Sequence, residues 1–162
     1  MKALFLLAVG LIACYIAYTI YAFNKIPKSI SDTYYQWAER GAKYLFTAVM
    51  WLTGFLLLPY WIYVSPTNLQ CLPFLSLCGM FFVGGACAFK ETLTSSVHYT
   101  SAGIWAGVAL LYFALLGNWT AIIAGAASGL VAIIADWERH KHYIFWLECA
   151  VVLTMIIGIS ML

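Results

Sequence analysis

Glu148 is the one acidic residue set inside an apolar run, 143–162. An ionised carboxylate at that depth costs on the order of 3 kcal/mol unless it is paired or neutralised, so such an acid is a candidate for carrying a proton or holding a cationic group. Lys141 stands seven residues earlier on the same face of a continuous helix; His98, or a Tyr from residues 24–43, could also supply a donor. Glu91 and His98 bracket a second polar stretch, where a carboxylate could orient or charge the imidazole. A third reads Asp136-Trp137-Glu138-Arg139-His140-Lys141-His142. On a helix Glu138 shares a face with His142, and Asp136 with His140, spacings that suit a metal ion or a salt-bridged helix end. His140 and His142 would lie on different faces, so a three-His zinc site needs both of them and His98 to converge. No metal and no other cofactor is expected. Nor is there a glycine-rich phosphate loop, a Ser–His–acid order or a Cys–His signature. Cys14, Cys71, Cys78, Cys87 and Cys149 form no Cys-x-x-Cys pair and read as small packing residues.

The elements that must position these groups follow from the charge pattern. Seven of the eight Lys and Arg residues fall within 24–43, 90–98 and 136–142, whereas 65–70 and 117–120 carry no charge. Hydrophobic residues make up 65% of the chain and charged residues 9%, against about 45–50% and 25% in soluble domains. Lipid must be the solvent for most of such a chain. A bilayer core about 30 Å thick calls for roughly 20 apolar residues per helix. Six runs qualify or nearly so: Ala3–Phe23, Tyr44–Val64, Cys71–Phe89, Tyr99–Leu116, Thr120–Ala135 and Tyr143–Leu162. They lack the alternation of a barrel, and a helix satisfies its own backbone in lipid. The expected fold is all-α, a single integral membrane domain over 1–162 with six transmembrane helices. Leu11-Ile12-Ala13-Cys14 is similar to a lipoprotein cleavage site, but the apolar run continues to Phe23 and reads as a first span. With Lys25, Lys28, Arg40, Lys43, Lys90, Arg139 and Lys141 on one side and Lys2 on the other, both termini are expected outside and the charged junctions in the cytoplasm.

The first charged junction is the long one. Pro27 interrupts helix, Ser29-Ile30-Ser31-Asp32 is rich in cap residues, and Thr33-x-x-Gln36 fits a capping box. Tyr34, Tyr35 and Trp37 then precede Glu39-Arg40-Gly41, which predicts a short interfacial helix with Gly41 allowing the turn into the second span. That helix could serve as an anchor, or as a lid over a site opening to the cytoplasmic leaflet. Small residues mark two later spans: Gly103-x-x-x-Gly107 in the fourth, and Ala121, Gly125 and Gly129 in the fifth. Such stripes let helix backbones approach closely, so the fourth and fifth spans are expected to pair tightly, and the same stripes could serve a homo-oligomer or another membrane protein.

Ile30-Ser31-Asp32-Thr33, after a Pro and before Glu39 and an apolar span, resembles the loop following the first helix in the Frag/DRAM/Sfk family of six-helix membrane proteins. Phe89, Glu91, His98 and Ala102 resemble that family's Phe-x-Glu…His-x-x-x-Ala pattern between its third and fourth helices. The chain departs from the family at Tyr34 and Ala38, where Gly and Pro are usual. The resemblance implies lipid-linked membrane biology without a defined enzyme activity.

Three functions are consistent with these residues. The leading one is a non-enzymatic membrane module that binds lipid or a membrane partner through Ser31, Asp32, Glu39, Glu91, His98 and Glu148 on the cytoplasmic face. A bacterial inner membrane is the expected location, and nucleic acid is not an expected partner. The second is a metal-assisted lipid hydrolase or acyltransferase using His98 and the 136–142 cluster. The third is a proton-coupled carrier using Glu148, although no inverted repeat or broken span accompanies it.

Overall fold

The computed structural model describes residues 1–86, 91–136 and 142–162, with residues 91–95 described in their backbone alone. Among these residues the chain is helical throughout: α1 (Lys2–Phe23), α2 (Thr33–Glu39), α3 (Leu45–Val64), α4 (Cys71–Gly85), α5 (Glu91–Leu115), α6 (Trp119–Ala135) and α7 (Tyr143–Ser160), with a 3₁₀ turn at Thr67–Leu69. Within the described residues each of the six apolar runs overlaps a helix, although α5 begins well before Tyr99, and α2 occupies the site of the expected short one. Among the described residues four segments are long and apolar enough to cross a membrane: Lys2–Phe23, Leu45–Val64, Thr67–Gly85 and Tyr143–Ser160. The α6 helix is apolar but has 17 residues, or about 25 Å at 1.5 Å per residue. In α5, polar residues such as Thr92, Thr94 and His98 precede the apolar stretch.

The outer surface matches a lipid solvent. Leu6, Phe55, Phe74, Ile123 and Val131 are each more than half exposed, a density of apolar surface that a water-soluble chain does not carry. Inside, Ala8, Phe46, Trp61, Leu77, Tyr112, Phe113 and Phe145 are almost wholly buried. The α3 helix packs against both α1 and α4, α4 also packs against α5, and α6 packs chiefly on α7. Side chains clip helix to backbone across these seams. Thr47 Oγ1 donates to Gly84 O at 2.7 Å, Trp51 Nε1 to Phe81 O at 2.9 Å, and Ser76 Oγ to Trp105 O at 2.8 Å.

Two turns are made by glycine. Gly41 (φ 77°) and Gly117 (φ 68°) adopt the left-handed conformation that closes a helix end. After α2, Gly41 and Ala42 donate back to Ala38 and Trp37; after α5, Gly117 and Asn118 donate to Ala114 and Phe113. Asn118 then serves the next helix, its Oδ1 accepting from the Ala121 N–H at 3.4 Å while its Nδ2 reaches Gly158 O on α7.

The expected pairing of the fourth and fifth spans, α5 and α6, is corrected. A Cβ at Gly103 or Gly107 would meet nothing within 4 Å, so this stripe opens outward. Gly125 instead lies against α7, where a Cβ would overlap the Thr154 hydroxyl, and at Gly129 a Cβ would come within 2.8 Å of Ala150 Cβ. The tight small-residue seam therefore joins α6 to α7. Sequence spacing reveals that a helix face is small, but not which neighbour turns a matching small face toward it.

Candidate functional site

The site begins where α1 ends, at Asn24, whose left-handed backbone (φ 49°) turns the chain out of the helix; Pro27, which lacks a backbone N–H, follows in the non-helical loop. The loop returns to α7 through two reciprocal bonds. The Phe145 N–H, one of the free donors in the first turn of α7, donates to Lys28 O at 3.1 Å. In the other direction the Ile30 N–H donates to Glu148 Oε2, and the Ser31 N–H also reaches this carboxylate. Phe145 and Glu148, three residues apart on α7, thus pair with the loop as the two halves of a capping box pair within one helix. The partners considered for Glu148 from sequence were side chains; those found are backbone amides. Lys141 lies outside the described residues.

Within the loop, Ser29 Oγ accepts the Asp32 N–H at 2.9 Å and lies 3.0 Å from Ser31 Oγ. Asp32 Oδ2 accepts from Gln36 Nε2 at 3.1 Å. The expected capping box at Thr33 and Gln36 is not formed, because the N-cap of α2 is Asp32. Thr33 Oγ1 instead donates to Ile30 O and meets the Tyr15 hydroxyl of α1. Four residues along each helix, Trp37 Nε1 donates to Thr19 Oγ1 at 3.0 Å, and the Trp37 ring stacks on Tyr18 and meets Phe23 edge-on. Arg40 completes the seam, its guanidinium donating to Ala22 O and lying 4.2 Å from the Phe23 ring centre. The α2 helix is thereby bound along one edge to α1. Tyr15 and Thr19, two polar residues one turn apart in an apolar run, are the signal for this docking in the sequence.

Beneath the loop a crevice runs between α1, α3, α4, α5 and α7, with Ile30, Ser31 and Glu148 at one end. Its wall continues past Phe46 and Met50 to Phe5, Leu57 and Ile159. The unfilled space is about 620 Å³ with the open mouth included. From Glu148 to Ile159 is eleven residues of helix, about 16 Å of rise, close to one leaflet's share of a hydrocarbon core about 30 Å thick.

The remaining candidates lie apart from this centre or beyond description. Glu39 is exposed on α2. His98 is half-buried ahead of the apolar stretch of α5, edge-on to Tyr99, and burial holds its pKa below the usual imidazole range. The Glu91 side chain, Cys87, and residues 137–141, including Glu138 and His140, lie outside the described residues. His142 Nδ1 pairs with Asp136 Oδ2 at 3.1 Å, joining the C-terminal cap of α6 to the N-terminal cap of α7. The expected face-sharing of Glu138 with His142 and of Asp136 with His140 falls on residues outside the described ones; the described helices end at Ala135 and resume at Tyr143. Among the described residues, no three His, Cys, Asp or Glu come together as a metal group.

Comparison with protein-family models, curated proteins and solved structures finds no match for this chain.

Proposed function

We propose that the chain is a six-span, non-enzymatic membrane protein that holds the hydrocarbon chain of a membrane lipid in its central crevice. The polar end of the lipid lies at Ile30, Ser31 and Glu148, on the cytoplasmic side of a bacterial inner membrane, and both termini face outward. The carrying observation is the crevice itself: apolar along its length, about a leaflet long, and closed at one end by a loop that a half-buried carboxylate holds in place. Met50, Met80 and Met155 line it, and such unbranched side chains adjust to an occupant at little cost. The resemblance of Ile30–Thr33 to the Frag/DRAM/Sfk loop belongs to the same proposal and points to the same lipid-linked biology.

The test is native mass spectrometry of protein purified in mild detergent, with Ala8→Phe as the comparison. Ala8 is fully buried in the crevice wall, so a ring there occupies the space a lipid chain needs. Wild-type protein retains lipid, and the variant, still folded by circular dichroism, loses most of it. Equal retention by both, or none by either, overturns the reading.

A further inference from the structure

The end of α1 carries a second recess, separate from the crevice. It is lined by Ile20, Tyr21, Asn24, Lys25 and Ile26, none of which lines the crevice, and its accessible lining carries polar groups as well as apolar ones. Asn24 and Lys25 are exposed, and Tyr21 is 83% exposed. The left-handed backbone of Asn24 ends the helix here, so Lys25 stands just beyond the last turn.

Charge at this corner is uncompensated. Residues 24–43 hold four cations, Lys25, Lys28, Arg40 and Lys43, against two acids, Asp32 and Glu39. Asp32 is engaged by Gln36, and none of the four cations forms an ion pair among the described residues. Arg40 donates to Ala22 O, one of the free carbonyls at the end of α1, and so brings a second charge to the same turn. The depth fits a headgroup. The 22 residues of α1 rise about 33 Å, so a helix crossing a hydrocarbon core about 30 Å thick ends with residues 21–25 at the level of the phosphates. Tyr18, Tyr21 and Tyr44 are all more than half exposed, and tyrosine is a residue type that settles at that level. Toward the core, the exposed face of α1 continues through Ala17, Cys14 and Leu7, a surface on which an acyl chain can lie.

We propose that this recess binds the phosphate of an anionic phospholipid of the bilayer. Lys25 supplies the charge that selects it, Tyr21 and Asn24 flank the headgroup, and an acyl chain lies along α1. The inference stands independently of the crevice reading. A free phosphate ester shares the phosphate chemistry, but Ile20 and Ile26 in the lining and the depth of the recess favour an ester that carries hydrocarbon.

The experiment titrates the protein in mild detergent with dimyristoylphosphatidylglycerol and with dimyristoylphosphatidylcholine, resolving bound lipid by native mass spectrometry. The two lipids carry the same chains and differ in net charge. The anionic lipid binds about fivefold more tightly, the factor that corresponds to about 1 kcal/mol for one cation near an anionic headgroup. Lys25→Gln loses most of that preference. Lys2→Gln, which removes the same charge at the opposite end of α1, keeps it, and both positions are exposed, so neither change threatens the fold. Ala8→Phe, which fills the crevice, also keeps it. Equal binding of the two lipids by wild-type protein, or an undiminished preference in Lys25→Gln, overturns the assignment. So does loss of the preference in Ala8→Phe still folded by circular dichroism, which would move the anionic lipid to the crevice. Competition by glycerophosphoglycerol, the headgroup without chains, at the lipid's own concentration overturns the choice of a bilayer lipid over a soluble ester. Equal total lipid retention by wild type and Ala8→Phe ends the crevice reading and leaves this one standing.

Discussion

The carboxylate of Glu148 accepts the backbone N–H of Ile30, a residue 118 positions earlier in the chain. The bond joins the last long helix to the loop after the first, and the Phe145–Lys28 bond beside it runs the other way. A carboxylate that would be costly in hydrocarbon is supplied with donors by a loop whose own amides would otherwise lack acceptors.

Replacing Glu148 tests that exchange. Glu148→Gln keeps one carbonyl oxygen for the loop amides, so the thermal midpoint in detergent should fall slightly. Glu148→Ala leaves the Ile30 and Ser31 N–H groups without this acceptor and should cost about 1–3 kcal/mol for each amide that stays buried. Equal midpoints for wild type and Glu148→Ala would show that the carboxylate does not hold the loop.

The two glycine stripes should respond in opposite ways. Gly125→Ala forces a methyl group into the Thr154 side chain and should destabilise by about 1–3 kcal/mol, as overpacked sites do. Gly103→Ala and Gly107→Ala meet open space and should be neutral or stabilising by up to about 1 kcal/mol through helix propensity. Thermal unfolding checks the ranking. A change of oligomeric state in the Gly103 or Gly107 variants, read by light scattering, would place a partner on that face.

Trp37 should govern how firmly α2 is seated. Trp37→Phe retains a ring against Tyr18 and Phe23 but loses the bond to Thr19, at a cost of about 1 kcal/mol. Trp37→Ala removes the ring as well, a loss of about 3–5 kcal/mol at a well-packed site. Limited proteolysis reads this directly: cleavage within 24–43 should be fastest in Trp37→Ala. Identical cleavage rates in all three proteins would mean that α2 is held elsewhere.

Topology gives the fourth prediction. The seven-to-one division of Lys and Arg between the two ends predicts that a cysteine appended after Leu162 reacts with an impermeant maleimide in intact cells. Protection from the reagent until the cells are lysed would reverse the orientation and move the Glu148 end of the crevice to the exterior.

Much of the architecture is legible in the chain itself, because hydrocarbon permits few backbone solutions. Long apolar runs must satisfy their own amides, and so α1, α3, α4, α6 and α7 lie where composition alone puts them. Gly41 and Gly117 likewise announce helix ends, since the left-handed conformation suits few other residues. Glu148 and Ile30-Ser31-Asp32-Thr33 are each conspicuous in the sequence, the first as a lone acid in an apolar run and the second as a run of cap residues. Their union was not, because a backbone N–H leaves no mark on residue type: nothing in the identity of Ile30 says that its amide needs a carboxylate from the far end of the chain. The stripe at Gly125 and Gly129 announced close packing, but whether α5 or α7 would meet it depended on which helix brought matching small residues to the same depth. Thr53 and Trp105 read as ordinary members of apolar helices. Only the assembled bundle, by drawing five helices around one crevice, buried Thr53 Oγ1 and Trp105 Nε1 without a hydrogen bond among the described residues.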